Sequence, residues 1–89
     1  MNFELERSDL TLAELKPGKL AIIEKVQIGL QVEGLTNRLE AIGIIPDRQV
    51  QVLRSAWFGG PLHIRVGSTT EVAIRRQEAS MIVVNPVKE

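Results

Sequence analysis

Apolar and polar residues alternate along much of this chain in short runs set off by glycine, proline and small polar residues. Over residues 19–26, Ala21 and Ile23 fall on one face and Ile22 and Glu24 on the other, the two-residue period of a β-strand. Residues 49–53 alternate polar side chains with valine, and Leu62, Ile64 and Val66 alternate with His63 and Arg65, so two further strands are expected. A fourth is expected over 71–74 and a last over 81–84, where Asn85-Pro86 stops it because proline brings no N–H to a ladder. The period changes once. Leu35, Leu39 and Ile42 stand at i, i+4 and i+7, with Asn37, Arg38 and Glu40 turned away, which predicts a helix over 35–42 closed by Gly43 in the left-handed position.

The connections have their own chemistry. Thr11 and Glu14 are spaced as a capping box, in which hydroxyl and carboxylate each accept a free backbone N–H, and Pro17-Gly18 ends that turn with Leu12 and Leu15 facing a core. Residues 27–34, with Gly29 and Gly34, read as a loop, Pro46-Asp47 as a tight turn, 67–70 as a reversal, and 75–80 as a single helical turn polar except for Ala79. Five short strands and one short α-helix predict a mainly β fold, a small and strongly bent antiparallel barrel that removes its edges by closing. Its core should hold Leu39, Ile64, Val72, Ile74, Ala79 and Ile82, with the helix over one barrel end. The expected division is an N-terminal extension over 1–9, the barrel over 10–85 and a tail over 86–89.

Composition narrows the function more than the fold. With 89 residues there is material for one core. Eleven basic residues balance eleven acidic ones, so no field gathers nucleic acid or anionic lipid. No cysteine is present and histidine occurs once, which rules out thiolate chemistry and leaves an imidazole metal site short of ligands. The first residues lack a secretory signal, and no apolar run approaches the roughly 20 residues of a membrane span, so a cytoplasmic protein without membrane insertion is expected.

Each chemically suggestive group has an ordinary reading beside it. His63 lies between Leu62 and Ile64 and points away from the core alone, and the carboxylates are dispersed, so no metal site and no cofactor are expected. A nucleophile with an oriented base is missing, as is a glycine-rich loop with its lysine, which argues against an enzyme or a nucleotide binder. Arg75 and Arg76 suit an anion clamp, or an arginine donated to a GTPase; the plainer account has Arg75 covering the barrel end or pairing with Glu78 three residues on. Trp57-Phe58, next to Gly59-Gly60-Pro61, is the most unusual segment. It reads either as a partner-docking or self-association surface or as a lid over an open barrel end. Without tyrosine, a groove for proline-rich peptides is not expected. Trp57, Phe58, Arg75 and Arg76 are therefore the candidate docking residues.

The landmarks in order are Leu12-x-x-Leu15-Lys16-Pro17-Gly18, Ala21-x-Ile23, Arg38-Leu39-x-x-x-Gly43-Ile44-x-Pro46, Val50-x-Val52, Gly60-Pro61, Ile64-x-Val66 and Val72-Ala73-Ile74-Arg75-x-x-Glu78-Ala79-x-x-Ile82-x-Val84. Together they resemble the ferrous-iron-transport A (FeoA) family over residues 10–85. The resemblance implies an SH3-like barrel, a cytoplasmic place, and a non-enzymatic accessory role in ferrous iron uptake beside the GTPase-containing (FeoB-like) permease, with homo-oligomers as a further partner. A second implied reading is a detached regulatory lobe like the C-terminal domain of diphtheria-toxin-repressor-like iron-dependent regulators. Two positions depart from the family pattern: Asp47 stands where glycine usually follows the proline, and Trp57-Phe58 adds apolar surface to a loop that is often more polar.

Overall fold

The structure, a computed structural model, describes residues 10–27, 33–56 and 58–88. The 1–9 extension, Gly29 and its neighbours, and Trp57 lie outside the described residues. Five strands, β1 (Leu20–Val26), β2 (Gln49–Ser55), β3 (Leu62–Val66), β4 (Thr70–Ile74) and β5 (Ile82–Pro86), form one antiparallel sheet in the order β4-β3-β2-β1-β5. The described residues also include two α-helices, α1 (Glu33–Ala41) and α2 (Arg76–Ala79), and a 3-10 turn (Leu12–Glu14). It is the mainly β, strongly bent SH3-like architecture expected, except that the ladder does not close, β4 and β5 being left as its two edges, and that the turn over 75–80 forms a second, four-residue helix.

Two β-bulges bend the sheet. Pairing passes from Ile23 opposite Val84 to Lys25 opposite Val83, leaving Glu24 extra, and from Val52 opposite Ile64 to Arg54 opposite His63, leaving Leu53 extra. Each extra residue kinks its strand and increases the local twist. The inner face then wraps one core in which Ala21, Ile23, Val50, Val52, Leu62, Ile64, Ile74, Ala79, Ile82 and Val84 are all buried. Of the six expected core residues, Val72 alone is half-buried: it sits on β4, a sheet edge, where no further strand covers it. β5 also runs past its expected stop, with Asn85 opposite Ile22 and Pro86 opposite Ala21. Because β5 is the other edge, the missing proline N–H removes no bond from a central ladder, and the Val87 N–H resumes bonding at Leu20 O (2.9 Å).

The end of α1 is fixed by a Schellman motif. Ile44 N–H reaches Leu39 O (2.9 Å) and Gly43 N–H reaches Glu40 O (3.0 Å), with Gly43 at φ 95°. A Cβ at Gly43 would stand 3.1 Å from an Arg48 nitrogen and 3.2 Å from a Val66 methyl, so both the backbone and the space demand glycine. Leu39 and Ile44, on either side of the motif's glycine, are both buried in the core, while Asn37, Arg38 and Glu40 stay exposed. Just after it, Arg48 N–H bonds Ile45 O (3.2 Å) around a turn that holds Asp47 at φ 74°. At the first turn the Glu14 carboxylate accepts the Thr11 N–H (2.9 Å), as the expected capping box requires.

Candidate partner-docking site

The loop joining β2 to β3 is closed by Ala56 N–H on Pro61 O (3.0 Å). Inside it, Phe58 and Gly59 both have positive φ, 57° and 74°. Glycine adopts that region freely, but an L side chain there costs about 1–2 kcal/mol. Phe58 is also 99% exposed, the largest apolar exposure among the described residues. Phe58 therefore does not fold back as a lid over the barrel. Trp57, its expected companion, lies outside the described residues.

The arginines stand at the start of α2. Arg75 is extended (φ −73°, ψ 149°), and its N–H donates to Glu78 Oε1 at 2.9 Å, satisfying one of the free donors of the helix. The local Arg75–Glu78 guanidinium pair expected from the sequence does not form, because the other Glu78 oxygen accepts from Arg38 Nη1 at 2.6 Å. Burial, with the Glu78 side chain only 12% exposed, pushes its carboxyl up; the Arg75 N–H and the Arg38 guanidinium outweigh it and hold the group below the usual glutamate range. This contact, 40 residues apart in sequence, ties α1 to α2. The helical period alone gives Arg38 a solvent-facing position. Its partner has no local sequence signal.

Arg75 is exposed and Arg76 half-buried, and among the described residues neither guanidinium has a carboxylate within ion-pair reach. Arg76 Nε is buried and has no hydrogen-bond partner among the described residues. A buried donor left unmatched costs about 1–3 kcal/mol. The two arginines, with Gln77, form one side of an open cleft of about 410 Å³ whose other side is Gly59, Gly60 and Pro61. The fold thus joins the loop that carries Phe58 to Arg75 and Arg76, candidates that are well separated in sequence. Sequence reasoning missed Gln77 and the Gly-Pro wall; the Gly59-Gly60-Pro61 run itself was the available signal.

His63 lies elsewhere, on the outer face of β3, and it is not alone. Its Nδ1 is 3.5 Å from Arg54 Nη2 and its Nε2 is 3.6 Å from Glu71 Oε1, while the other Glu71 oxygen accepts from Arg65 at 2.8 Å. The Arg65 hydrogen bond holds the exposed Glu71 carboxyl below its usual range. These cross-strand contacts link β2, β3 and β4. Among the described residues no three His, Cys, Asp or Glu side chains converge as metal ligands would.

Known proteins share this architecture. A solved iron uptake regulatory protein (FeoA) is 28% identical with a TM-score of 0.76, the match covering 88% of this chain and 97% of that one. FeoA of Stenotrophomonas maltophilia, described as a prokaryotic SH3 domain protein complexed with zinc, is 32% identical with a TM-score of 0.72, over 85% of this chain and 89% of that one. A manganese-dependent transcriptional repressor matches at a TM-score of 0.77 over 88% of this chain but only 36% of its own, and at 19% identity the likeness is one of fold. No match was found among curated proteins. The FeoA domain profile matches residues 10–86, nearly all of the described structure, and the chain belongs to the FeoA domain family.

Proposed function

We propose that this chain is a cytoplasmic, non-enzymatic accessory protein of ferrous iron uptake that docks on the GTPase-bearing part of a ferrous iron permease. The observation that carries the docking reading is Phe58: a large apolar side chain 99% exposed on a loop whose backbone is held at φ 57°. Two unfavourable arrangements at one residue are tolerated where a binding surface requires them. Membership of the FeoA family supplies the iron-uptake setting, and the Stenotrophomonas relative has been put forward as a ferrous iron transport activating factor. No described helix is long and apolar enough to cross a membrane, which accords with a partner approached from the cytoplasm.

Arg75 and Arg76 extend the docking surface along the cleft, and Trp57 adjoins it in sequence. The repressor likeness concerns fold and does not favour a regulatory-lobe role. The test is sedimentation of the purified chain with the cytosolic part of the permease, for wild type and for the Trp57→Ser, Phe58→Ser double variant, beside thermal melts. Loss of co-sedimentation with an unchanged melt is expected. Undiminished binding, or a variant that simply unfolds, would remove the loop from the docking surface.

A further inference from the structure

We infer that the cleft between residues 59–61 and the start of α2 binds a carboxylate on an acidic segment of a protein partner. The inference rests on the docking role proposed above and names the chemistry of the partner. Its first support is charge. Arg75 and Arg76 bring two guanidinium groups to one cleft, and among the described residues no carboxylate pairs with either. Glu78, the acid nearest in sequence, is committed on both oxygens, to Arg38 at 2.6 Å and to the Arg75 N–H at 2.9 Å. The Glu78 charge still acts on Arg75, whereas Arg76 has no acidic partner among the described residues.

The second support is the hydrogen-bond inventory. Arg76 Nε is buried without an acceptor among the described residues, although buried polar groups in folded proteins are nearly always matched. Nε itself is closed off, so a ligand would meet the remaining N–H groups of the guanidinium, a rigid fork whose open edge fits the two oxygens of a carboxylate. Shape is the third. The opposite wall is Gly59, Gly60 and Pro61, without a charged group, and a Cβ placed on Gly59 would meet nothing within 4 Å. Main chain of a bound segment can lie against such a wall. At about 410 Å³ the cleft is large enough for one acidic side chain and part of its backbone.

Phosphate bears the same kind of charge, but the surroundings favour a peptide acid. Net charge is zero, so a polyanion or an anionic membrane gains no extended attraction. Beside the cleft, Phe58 presents a 99% exposed ring, which suits an apolar residue next to the acid.

The experiment titrates nitrogen-15-labelled full-length protein with the capped peptide Gly-Leu-Asp-Leu-Gly and follows the Arg76 Nε–H resonance together with the backbone signals of residues 59–61. Saturable shifts with Kd on the order of 1 mM are expected, as befits one carboxylate site. The matching peptide with Asn in place of Asp should bind at least about tenfold more weakly, since the charge is what the cleft reads. Arg76→Lys, which keeps the charge and loses the fork, should lose about tenfold with an unchanged melting temperature. Equal response to the Asp and Asn peptides, undiminished binding by Arg76→Lys, or tighter saturation of the same signals by inorganic phosphate would each overturn the inference. The permease domain separates it from the docking role. Permease binding that is intact in Arg76→Lys overturns the cleft inference while docking stands, whereas a wild-type chain that ignores the permease yet discriminates the two peptides supports the cleft and rejects that partner.

Discussion

Helix α2 has two differently finished sides. Toward α1, Glu78 is satisfied twice, by the Arg38 guanidinium and the Arg75 N–H, and Ala79 beside it is fully buried. Toward the 59–61 loop, among the described residues Arg75 and Arg76 have no carboxylate in ion-pair contact and Arg76 Nε has no acceptor. Four residues of helix thus carry a completed structural joint and an incomplete polar surface. Stability and recognition are assigned to different side chains of one short element, so they should separate under mutation.

The largest expected effect is on the finished side. Ala79→Arg places an unpartnered charge in a fully buried position, a cost of about 3–5 kcal/mol against a total stability that for small domains is about 5–15 kcal/mol. Loss of the cooperative thermal transition is expected, and an unchanged melt would contradict the core assignment. Glu78→Ala should come next, removing the helix cap and the tie to Arg38 for about 1–2 kcal/mol, or on the order of 10 °C in Tm. Peptide binding by the cleft should survive in that variant at a temperature where it remains folded. If binding failed while the fold persisted, the two sides of α2 would be coupled.

Acid should act on the same joint. The Glu78 carboxyl sits below its usual range in the folded protein, so its contribution is fully present above the unfolded value and is lost as pH falls through the lower folded one. Wild-type Tm should therefore decline as pH drops below about 4.3, and Glu78→Gln should flatten that decline. Glu71 shifts in the same direction, but it is solvent-exposed on the sheet, and Glu71→Gln should change the profile less. A larger response from Glu71 would relocate the acid-sensitive contact to β3 and β4.

The smallest change in stability has the opposite sign. Phe58→Asn puts a residue that tolerates left-handed backbone at φ 57°, and a gain of about 0.5–1 kcal/mol in melting experiments is expected together with weaker permease binding. Such an exchange of stability against affinity is what strain retained for recognition predicts. A less stable Asn variant would show that the Phe58 side chain stabilises the fold.

Much of the barrel was legible because period-two alternation is itself the cause of the structure. A strand that buries one face needs Leu62, Ile64 and Val66 in step, and it has them; Gly43 was legible because its backbone tolerates no other residue without strain. The bulges at Glu24 and Leu53 were not legible. An inserted residue shifts register without a compositional mark, and for that reason β2 was expected to end at Leu53 rather than Ser55. At the candidate site, residue types pointed to Phe58, Arg75 and Arg76, but their shared cleft depends on how the β2–β3 loop meets α2. The Arg38–Glu78 contact was equally invisible, since alternation describes one element at a time and this pair joins two.

The outer edge of β5 receives the beginning of the domain: Thr11 bridges Val83, and the Val84 N–H bonds Leu10 O at 2.9 Å. The chain then leaves from the end of that same strand at residues 86–87, with Val87 N–H on Leu20 O. The domain's two boundaries are therefore neighbours on one strand, the arrangement that lets a module be spliced into a host chain with its own packing undisturbed. A host needs only to present two nearby attachment points. The same fold makes up 36% of a repressor chain, so it does occur as part of a longer protein. The joint that most needs protection in any fusion is then not a loop but the β5 edge, where Leu10 and Thr11 must stay paired for the barrel to keep its last strand covered.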